Sequence, residues 1–367
     1  MSATFLLACY EVPGWGGAST FLYTLYERMQ HDGFRVEYLN LVKDLDEPYL
    51  RKTFGPQFGN PAELDAVRTC IMDSPLWRVH PNIVEAIRAA QPDLVVVCGF
   101  IAAWLMKRAA PGIPIAFITS GCSQIKQLMR RGAIDDFMDF ERRIARGITF
   151  EAAQGDQERG AVQTSDLIIV HSPIVRRAFE HFFPAYMGKV YADLISIADC
   201  VYAEAATFAH LQRPFAERDI DAIFIASNWS RAEKNYPLVQ RIAVACTGLR
   251  VHIVGQCPQP DLQAQYHGVI TRRVDLYTLL GRAKAIVCPS RFDPAPGVLF
   301  EASAMGCNVV ASPNCGNWEL CNEQLLARSP AGFVSRTRRA TTAPHADNRE
   351  RFRGGYDNLI GTLTAFV

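Results

Sequence analysis

The sequence predicts an α/β protein of two doubly wound, parallel-sheet domains, and three observations predict it. Continuous apolar runs of strand composition alternate with helical patterns along the chain, the order that builds parallel sheets covered on both faces. The runs fall into two sets, divided by the polar stretch HLQRPFAERD at 210–219. At 367 residues the chain also exceeds what a single core organises, so two domains of about 150 to 200 residues are the default.

The first set of strands comprises TFLLAC (4–9), FRVEYLNL (34–41), DLVVVC (93–98), IPIAFIT (113–119) and DLIIVHS (166–172). Helical patterns lie between them, such as ASTFLYTLYERMQHDG (18–33) and NIVEAIRAAQ (82–91). The former ends on Gly33, a natural helix stop. The second set is DAIFIAS (221–227), LRVHIVG (249–255), AKAIVCPS (283–290) and NVVAS (308–312). SRTRRATTAPHADNRERFRG (335–354) reads as a mobile polar loop before a closing helix. The boundaries expected are 1–205 for the first domain, 206–345 for the second, and 346–367 for a closing helix that packs back on the first. Ligands of open parallel sheets bind beyond the carboxyl ends of the strands, so the loops that follow strands should face each other across a cleft.

Composition narrows the function. Apolar residues make up 49% and charged residues 20%, a globular mixture and not a disordered or fibrous one. A formal net charge of +1 offers no global field to nucleic acid or an anionic membrane. The 11 cysteines include no CxxC pair, and several sit in apolar runs (LLACY, VVVCGF, AIVCPS). Buried thiols in a reducing compartment are expected, with neither disulfides nor zinc. MSATFLLACYEVPGW has no basic segment and too short an apolar run for a signal peptide, and no window approaches a membrane span. Together these features predict a cytoplasmic protein.

Three loops carry the chemistry. In EVPGWGGAS (11–19), Gly14, Gly16 and Gly17 precede a helix whose free N–H groups and dipole suit an anion such as a diphosphate. Gly14-x-Gly16-x-x-Ser19 is close to a dinucleotide fingerprint. It departs from one because Pro13 prevents a tight turn off the strand and Ser19 replaces the third small residue; a plain glycine-rich surface loop is the other reading. In ASNWSRAEKNYPLVQRIA (226–243), Arg231 and Lys234 flank a helix entrance. Two cations there disfavour the helix unless an anion sits between them; two solvated surface cations are the plainer reading.

The third loop, PSRFDPAPGVLFEASAMGCNVVAS (289–312), is the most specific. Asp293 and Glu301 lie near one helix entrance, with the amides of Gly297 and Val298 between them. A carboxylate accepts from paired sugar hydroxyls, and such amides cradle phosphate. Pro294 and Pro296 fix the loop without wasting donors. Glu301 stands amid VLFEASAMG, where a glutamate needs a partner or a ligand. PNCGNWEL (313–320) adds another glycine turn and Glu319 at the next helix start.

This pattern resembles the retaining glycosyltransferases of the two-Rossmann-domain (GT-B) fold, glycosyltransferase family 4 (glycosyl transferases group 1). Their signature runs roughly P-S-x-x-E-x-F-G-x-x-x-x-E-A-x-A-x-G-x-P-V-V-A, and this chain matches at Pro289, Ser290, Glu301, Ala302, Ala304, Gly306, Val309, Val310 and Ala311. The glycine loop, the Lys234–Asn235 pair, HIVG and Gly316-x-x-Glu319 recur in the family's order. The resemblance is strong over 220–325 and thin over 42–165 and beyond 330. It implies two Rossmann-like domains, with an acceptor-side first domain and a second that binds a nucleotide sugar.

By position, the resemblance makes Glu301 the holder of the ribose hydroxyls and Asp293 the acid near the donor sugar. Lys234 and Arg231 would neutralise the diphosphate, with Gly297, Val298 and Glu319 on the donor and Gly16 and Gly17 approaching from the first domain. The implied reaction, of hexosyltransferase type in glycan biosynthesis, moves a sugar from a nucleotide-diphosphate donor to an acceptor hydroxyl with retained configuration. It implies no cofactor and no metal, and no Asp-x-Asp stands here to hold one. The acceptor is unknown in kind: glycan, lipid-linked or small molecule. Three departures stand out. The first acid is an aspartate followed by Pro296 and Gly297 in place of the usual glycine. The arginine lies three residues before the lysine. Gly121 stands about where a first-domain histidine is usual.

The remaining features read less sharply. His171 ends a strand and reads as a structural histidine. Lys126, Arg130, Arg131, Arg142, Arg143 and Arg146 lie among acids, which favours a solvated surface over an anionic acceptor or a weak membrane-surface contact. Trp15, Trp77 and Trp104 suit sugar stacking and core packing equally. The alternative to an active transferase is a non-catalytic GT-B protein that binds nucleotide or glycan or scaffolds a partner. A nicotinamide oxidoreductase rests on the glycine loop alone, and an epimerase or phosphorylase on shared fold.

Overall fold

The structure, a computed structural model, describes residues 3–10, 17–43, 68–72, 79–119, 121–151, 157–193, 196–258, 263–270, 272–316, 325–344 and 353–367. The first half runs β1 (Thr4–Cys9), α1 (Gly17–His31), β2 (Arg35–Lys43), β3 (Arg68–Met72), α2 (Pro81–Ala90), β4 (Leu94–Cys98) and α3 (Phe100–Ala109). It continues through β5 (Ile115–Thr119), α4 (Ser123–Arg130), α5 (Phe137–Ala145), α6 (Gln157–Thr164), β6 (Leu167–Val170), α7 (Pro173–Phe182), β7 (Val190–Ala192) and α8 (Ser196–Thr207). The second half holds β8 (Ile220–Asn228), α9 (Tyr236–Ala245), β9 (Val251–Gln256), β10 (Gln265–Tyr266), α10 (Arg273–Arg282), β11 (Ala283–Cys288), α11 (Gly297–Ala304), β12 (Asn308–Ala311), α12 (Pro330–Ala340) and α13 (Gly355–Phe366).

These strands build two sheets, a seven-stranded one in the order β3-β2-β1-β4-β5-β6-β7 and a five-stranded one in the order β10-β9-β8-β11-β12. Every pairing in both is parallel. The apolar runs explain this. LVVVC, IAFIT and LIIV are buried along their whole length, as central strands with helices on both faces must be. Strand order reverses between β1 and β4, and again between β8 and β11. Each reversal opens a crevice at the carboxyl ends, and the loops 229–235 and 289–296 leave from the second one.

Local chemistry sets the helix ends. Pro81 occupies the first turn of α2, and His80 Nδ1 accepts the Asn82 N–H at 3.2 Å, a cap of the ordinary kind. Asp136 caps α5 by accepting the Asp139 N–H at 2.7 Å. Ser329 does the same for α12 with Gly332 N–H at 3.1 Å. The sequence reading of 335–354 as a polar loop needs correcting over its first six residues. Residues 335–340 complete α12, because Phe333, Thr337 and Ala340 recur on one buried face.

Each sheet carries an apolar cluster on both faces. The first sheet packs α1 and the closing helix α13 on one side, through Phe21, Leu22, Leu25, Leu359, Ile360 and Leu363. The second packs α8, α10 and α11 on one side and α9 with α12 on the other. Helix α8 serves both halves: Cys200 belongs to the first sheet's cluster, while Ala198, Val201, Tyr202 and Ala205 belong to the second's. No disulfide joins the described cysteines, and all but Cys257 are buried. Among the described residues no helix is long and apolar enough to cross a membrane.

Candidate active site

The site begins where β8 ends. Asn228 Oδ1 accepts the Ser230 N–H at 2.8 Å, and the buried Trp229 donates Nε1–H to the Val254 carbonyl at 2.9 Å. A short 3-10 turn, Ala232–Lys234, follows. Asn235 closes it in the left-handed region at φ 60°, and its Nδ2 donates to the Pro289 carbonyl at 3.0 Å. Asparagine is among the few side chains that adopt this conformation readily. One residue therefore ends the Lys234 turn and ties it to the loop after β11.

That tie brings two side chains together. Lys234 Nζ lies 2.5 Å from Asp293 Oδ2, with 17% and 11% of the two side chains exposed. Burial alone would lower the lysine's pKa, but the Asp293 carboxylate outweighs it and holds the ammonium above the usual lysine range. Arg231 is likewise paired, donating from Nη2 to Glu233 Oε1 at 2.7 Å. Burial works against the Glu233 carboxylate, yet its own backbone N–H and Arg231 bring it below the ordinary range.

The Asp293 backbone is clamped on both sides. Its N–H donates to the Asn314 carbonyl at 3.0 Å, and its carbonyl accepts from Gly316 N–H at 2.6 Å. A side chain at 316 is impossible: a Cβ there would lie 1.6 Å from the Pro294 carbonyl oxygen and 2.6 Å from Ser172 Cβ. The first domain grips the same loop. Phe292 is fully buried within the first sheet's cluster and stacks on Phe137 at 5.6 Å. The Phe137 N–H donates to the Arg291 carbonyl at 3.1 Å, and the Met138 N–H to Asn314 Oδ1 at 2.8 Å.

Helix α11 then starts at Gly297 behind Pro296, without a side-chain cap. The N–H groups of the first turn of any helix lack helical partners, so Gly297 and Val298 present donors where an anion would be welcome. Glu301, one turn in, is buried, and its Oε1 accepts from Arg273 Nη2 at 2.7 Å. Arg273 also pairs with Glu204 of α8, Nε to Oε1 at 2.7 Å, and Tyr277 donates to Glu204 Oε2 at 3.1 Å. Burial pushes the Glu301 carboxyl above the usual range, and Arg273 recovers only part of the difference. Glu301 Oε2 has no hydrogen bond among the described residues.

Across the crevice, β5 ends in Thr119, and Gly121 stands in the turn beyond it. A Cβ on Gly121 would come 2.9 Å from Pro294 Cγ and 3.6 Å from Lys126 Nζ, so the Asp293 loop, this turn and the Lys126 ammonium meet. A cavity of about 340 Å³ opens here, lined by Phe100, Thr119, Ser123, Lys126, Arg130 and Glu158 among others. His171, at the end of β6, is buried 3.2 Å from Asp193, edge-on to Phe21 at 4.7 Å.

The structure thus brings Lys234 and Asp293 into contact and sets Arg231 beside them, with Gly297, Val298 and Glu301 on the adjoining helix. Gly17 is the exposed first residue of α1, with open space around it. Gly16 and Glu319, and with them Trp15 and Trp77, lie outside the described residues. Trp104 packs in the first core, where Arg108 lies over its ring at 4.5 Å. Sequence reasoning missed Arg273, Glu204 and Glu233. The signal for Arg273 was the need of Glu301 for a cation, but nothing in TRRVDLY singles out its second arginine. Lys126, first read as part of a solvated surface, instead faces the crevice. Among the described residues no group of three His, Cys, Asp or Glu is arranged for a metal ion.

A family model described as glycosyl transferases group 1 matches residues 223–342, the segment that contains all of the second-domain loops above. The chain is a glycosyltransferase of the GT-B fold. Solved structures similar to this glycosyltransferase cover nearly all of it. The lipopolysaccharide outer core galactosyltransferase WaaB is 13% identical, with a TM-score of 0.62 over 99% of this chain and 100% of that one. The sucrose-phosphate synthase of Thermosynechococcus elongatus is 16% identical, with a TM-score of 0.63 over 99% and 98%. Anabaena HepE in complex with UDP-glucose is 15% identical, with a TM-score of 0.63 over 98% and 99%. No curated protein sequence matches it. The expected architecture of two parallel-sheet α/β domains is the one present.

Proposed function

We propose that this glycosyltransferase moves a sugar from a nucleoside diphosphate sugar to an acceptor hydroxyl with retained configuration, as family 4 enzymes do. The observation that carries this reading is the Lys234–Asp293 pair beside the uncapped start of α11, at the point where strand order reverses. A diphosphate placed there meets the Lys234 ammonium, the Arg231 guanidinium and the Gly297 and Val298 amides. The similar HepE structures hold UDP and UDP-glucose, which supports a donor of this class.

In the proposed step the bond from the sugar's anomeric carbon to the diphosphate oxygen breaks as the bond to the acceptor oxygen forms on the same face. The acceptor's proton passes to the leaving phosphate, so no protein base is required. Charge developing on the diphosphate is met by Lys234, Arg231 and the α11 amides, electrostatic stabilisation of the strongest kind available to an enzyme. Displacement of Asp293 from Lys234 by the diphosphate leaves the aspartate beside the sugar, where it stabilises positive charge on the ring. Glu301, oriented by Arg273 through Oε1, offers Oε2 to the ribose hydroxyls. Gly16, Gly17 and Glu319 complete the donor contacts in this reading, and neither cofactor nor metal takes part.

Thermal melting with UDP, GDP, ADP and NAD tests it. A ligand at about 100 times its dissociation constant adds roughly 2.7 kcal/mol, a shift of several degrees at this size. A selective rise with one diphosphate is expected, and the sugars of that nucleotide form the turnover panel. A rise with NAD alone, or with none, overturns the proposal; binding without turnover leaves the non-catalytic reading in its place.

A further inference from the structure

Glu301 shares its cation with a second acid. Arg273 turns a two-donor edge to Glu204 of α8, Nε to Oε1 at 2.7 Å and Nη2 to Oε2. The remaining Nη2 proton goes to Glu301, at Oε1 and 2.7 Å. Tyr277 braces the pair: its hydroxyl donates to Glu204 Oε2 at 3.1 Å, and the Arg273 guanidinium lies over its ring, 5.2 Å from the centroid. The helix that carries Glu204 follows the donor loop closely. A Cβ at Gly297 would stand 4.0 Å from Val201 Cγ2, and Tyr202 donates its hydroxyl to Ser303 Oγ at 3.2 Å. Helix α8 therefore runs along α11, and Glu204 meets Arg273 from a fixed position.

Three charges here are more than pairing requires. Arg273 with Glu301 alone would be neutral, and a guanidinium meets a carboxylate best through a two-bond fork. In that fork both oxygens of Glu301 would be taken, and a hydroxyl ligand would have to break one of the bonds. Glu204 takes the fork instead. Glu301 keeps the positive neighbour that a buried carboxylate needs, yet no hydrogen bond among the described residues uses its Oε2. The cost is a second negative charge close by, which adds to the effect of burial on Glu301. A cluster that served to stitch α8 to α10 would be complete without Glu301. One that served to neutralise Glu301 would be complete without Glu204.

We infer that Glu204 is a positioning residue for the donor: by holding the Arg273 fork it keeps Glu301 Oε2 open to the ribose hydroxyls. This rests on the sugar-transfer reading and on its assignment of Glu301 to the ribose. Titration calorimetry on the full chain tests it, comparing whichever of UDP, GDP and ADP binds with its 2′,3′-dideoxy form, which lacks both hydroxyls. The parent protein is expected to favour the ribonucleotide about tenfold or more, the worth of a hydrogen bond to a charged group. Glu204→Gln should erase most of that margin by weakening the ribonucleotide and leaving the dideoxy form unchanged. Glu204→Asp, which keeps the charge, should retain more of it. Arg273→Lys added to Glu204→Gln should bring the margin back, since an ammonium cannot fork across both oxygens of Glu301. A Glu204→Gln protein that loses both ligands equally has lost a brace between helices and overturns the inference. So does one that keeps the full margin. Equal affinity of the parent for the two forms overturns the ribose assignment of Glu301, and failure of all three diphosphates to bind overturns the sugar-transfer reading. Either result takes the inference with it and is distinct from a failure of Glu204 alone.

Discussion

Lys234 and Asp293 stand 59 positions apart in the chain and meet at 2.5 Å. Their loops leave neighbouring strands, β8 and β11, which pair in parallel with Ala285 opposite Ala222. The parallel register places both carboxyl ends on one edge of the sheet. Asn235 fastens one loop to the other, and Phe292 and Asn314 fasten both to the first domain. The contact is thus a product of topology, and it neutralises a nearly buried lysine that would otherwise repel its surroundings.

Removing Asp293 should separate chemistry from binding. Asp293→Asn is expected to lower turnover roughly 10²-fold while nucleotide binds more tightly, because the diphosphate no longer has to displace a carboxylate from Lys234. It also leaves a buried ammonium without its partner, at a cost of about 3 kcal/mol. A nucleoside diphosphate should restore part of that loss by taking the carboxylate's place on Lys234. Melting curves with and without nucleotide measure it; an equal deficit in both conditions would show that the diphosphate does not reach Lys234.

Glu301→Ala should do the reverse and weaken nucleotide binding by roughly ten- to a hundredfold, the range for hydrogen bonds to a charged group. The carboxylate form is the one that accepts hydroxyls. Its pKa lies above the ordinary range because burial outweighs Arg273. Affinity should therefore be full at high pH and be lost as pH falls through that raised value. Arg273→Met should move the loss to higher pH. Superimposable affinity profiles of the two proteins between pH 5 and 8 would refute the link.

Much of this was legible in the sequence. The apolar runs located every central strand, and TFLLAC and NVVA are strands at the positions read. The strands missed, β3, β7 and β10, are edge strands, short or polar because only one neighbour supports them. Pairing of Lys234 with Asp293 was not legible, since spacing along a chain says nothing of register between strands. Arg273 reaches Glu301 from α10 and is itself held by Glu204 from α8, and such partners have no local signature. Lys126 was misread because acids close in sequence, Asp135 and Asp139, are not the charges that surround it in space.

Gly316 should tolerate no side chain. Its missing Cβ makes room for the Pro294 carbonyl at 1.6 Å and for Ser172 of the first domain. Gly316→Ala must push the Asp293 loop away and break the 2.6 Å bond from the Gly316 N–H. Turnover should fall by about as much as in Asp293→Asn, roughly 10²-fold, although no reacting group is touched. An active Gly316→Ala enzyme would mean that the loop has slack the packing does not suggest.

Stability should depend on pH through His252 and His267. Their rings stack at 5.0 Å between centroids, with Nδ1 of one 2.8 Å from Nε2 of the other, a bond that requires at least one neutral ring. Burial first, and then His267, bring the His252 pKa down from 6.5 to about 4. Between those values the unfolded chain binds a proton that the folded one refuses, so folding stability rises with pH across the window. Seen from neutral pH, it is lost as pH falls through 6.5 towards about 4. With allowance for partial solvation the loss should amount to about 2 kcal/mol. His252→Gln should flatten this slope in urea denaturation between pH 7 and 4.5. It keeps a donor and an acceptor for His267 but cannot take up a proton. If the variant and the parent lose stability in parallel over that window, the histidine pair is not what sets the acid limit of the fold.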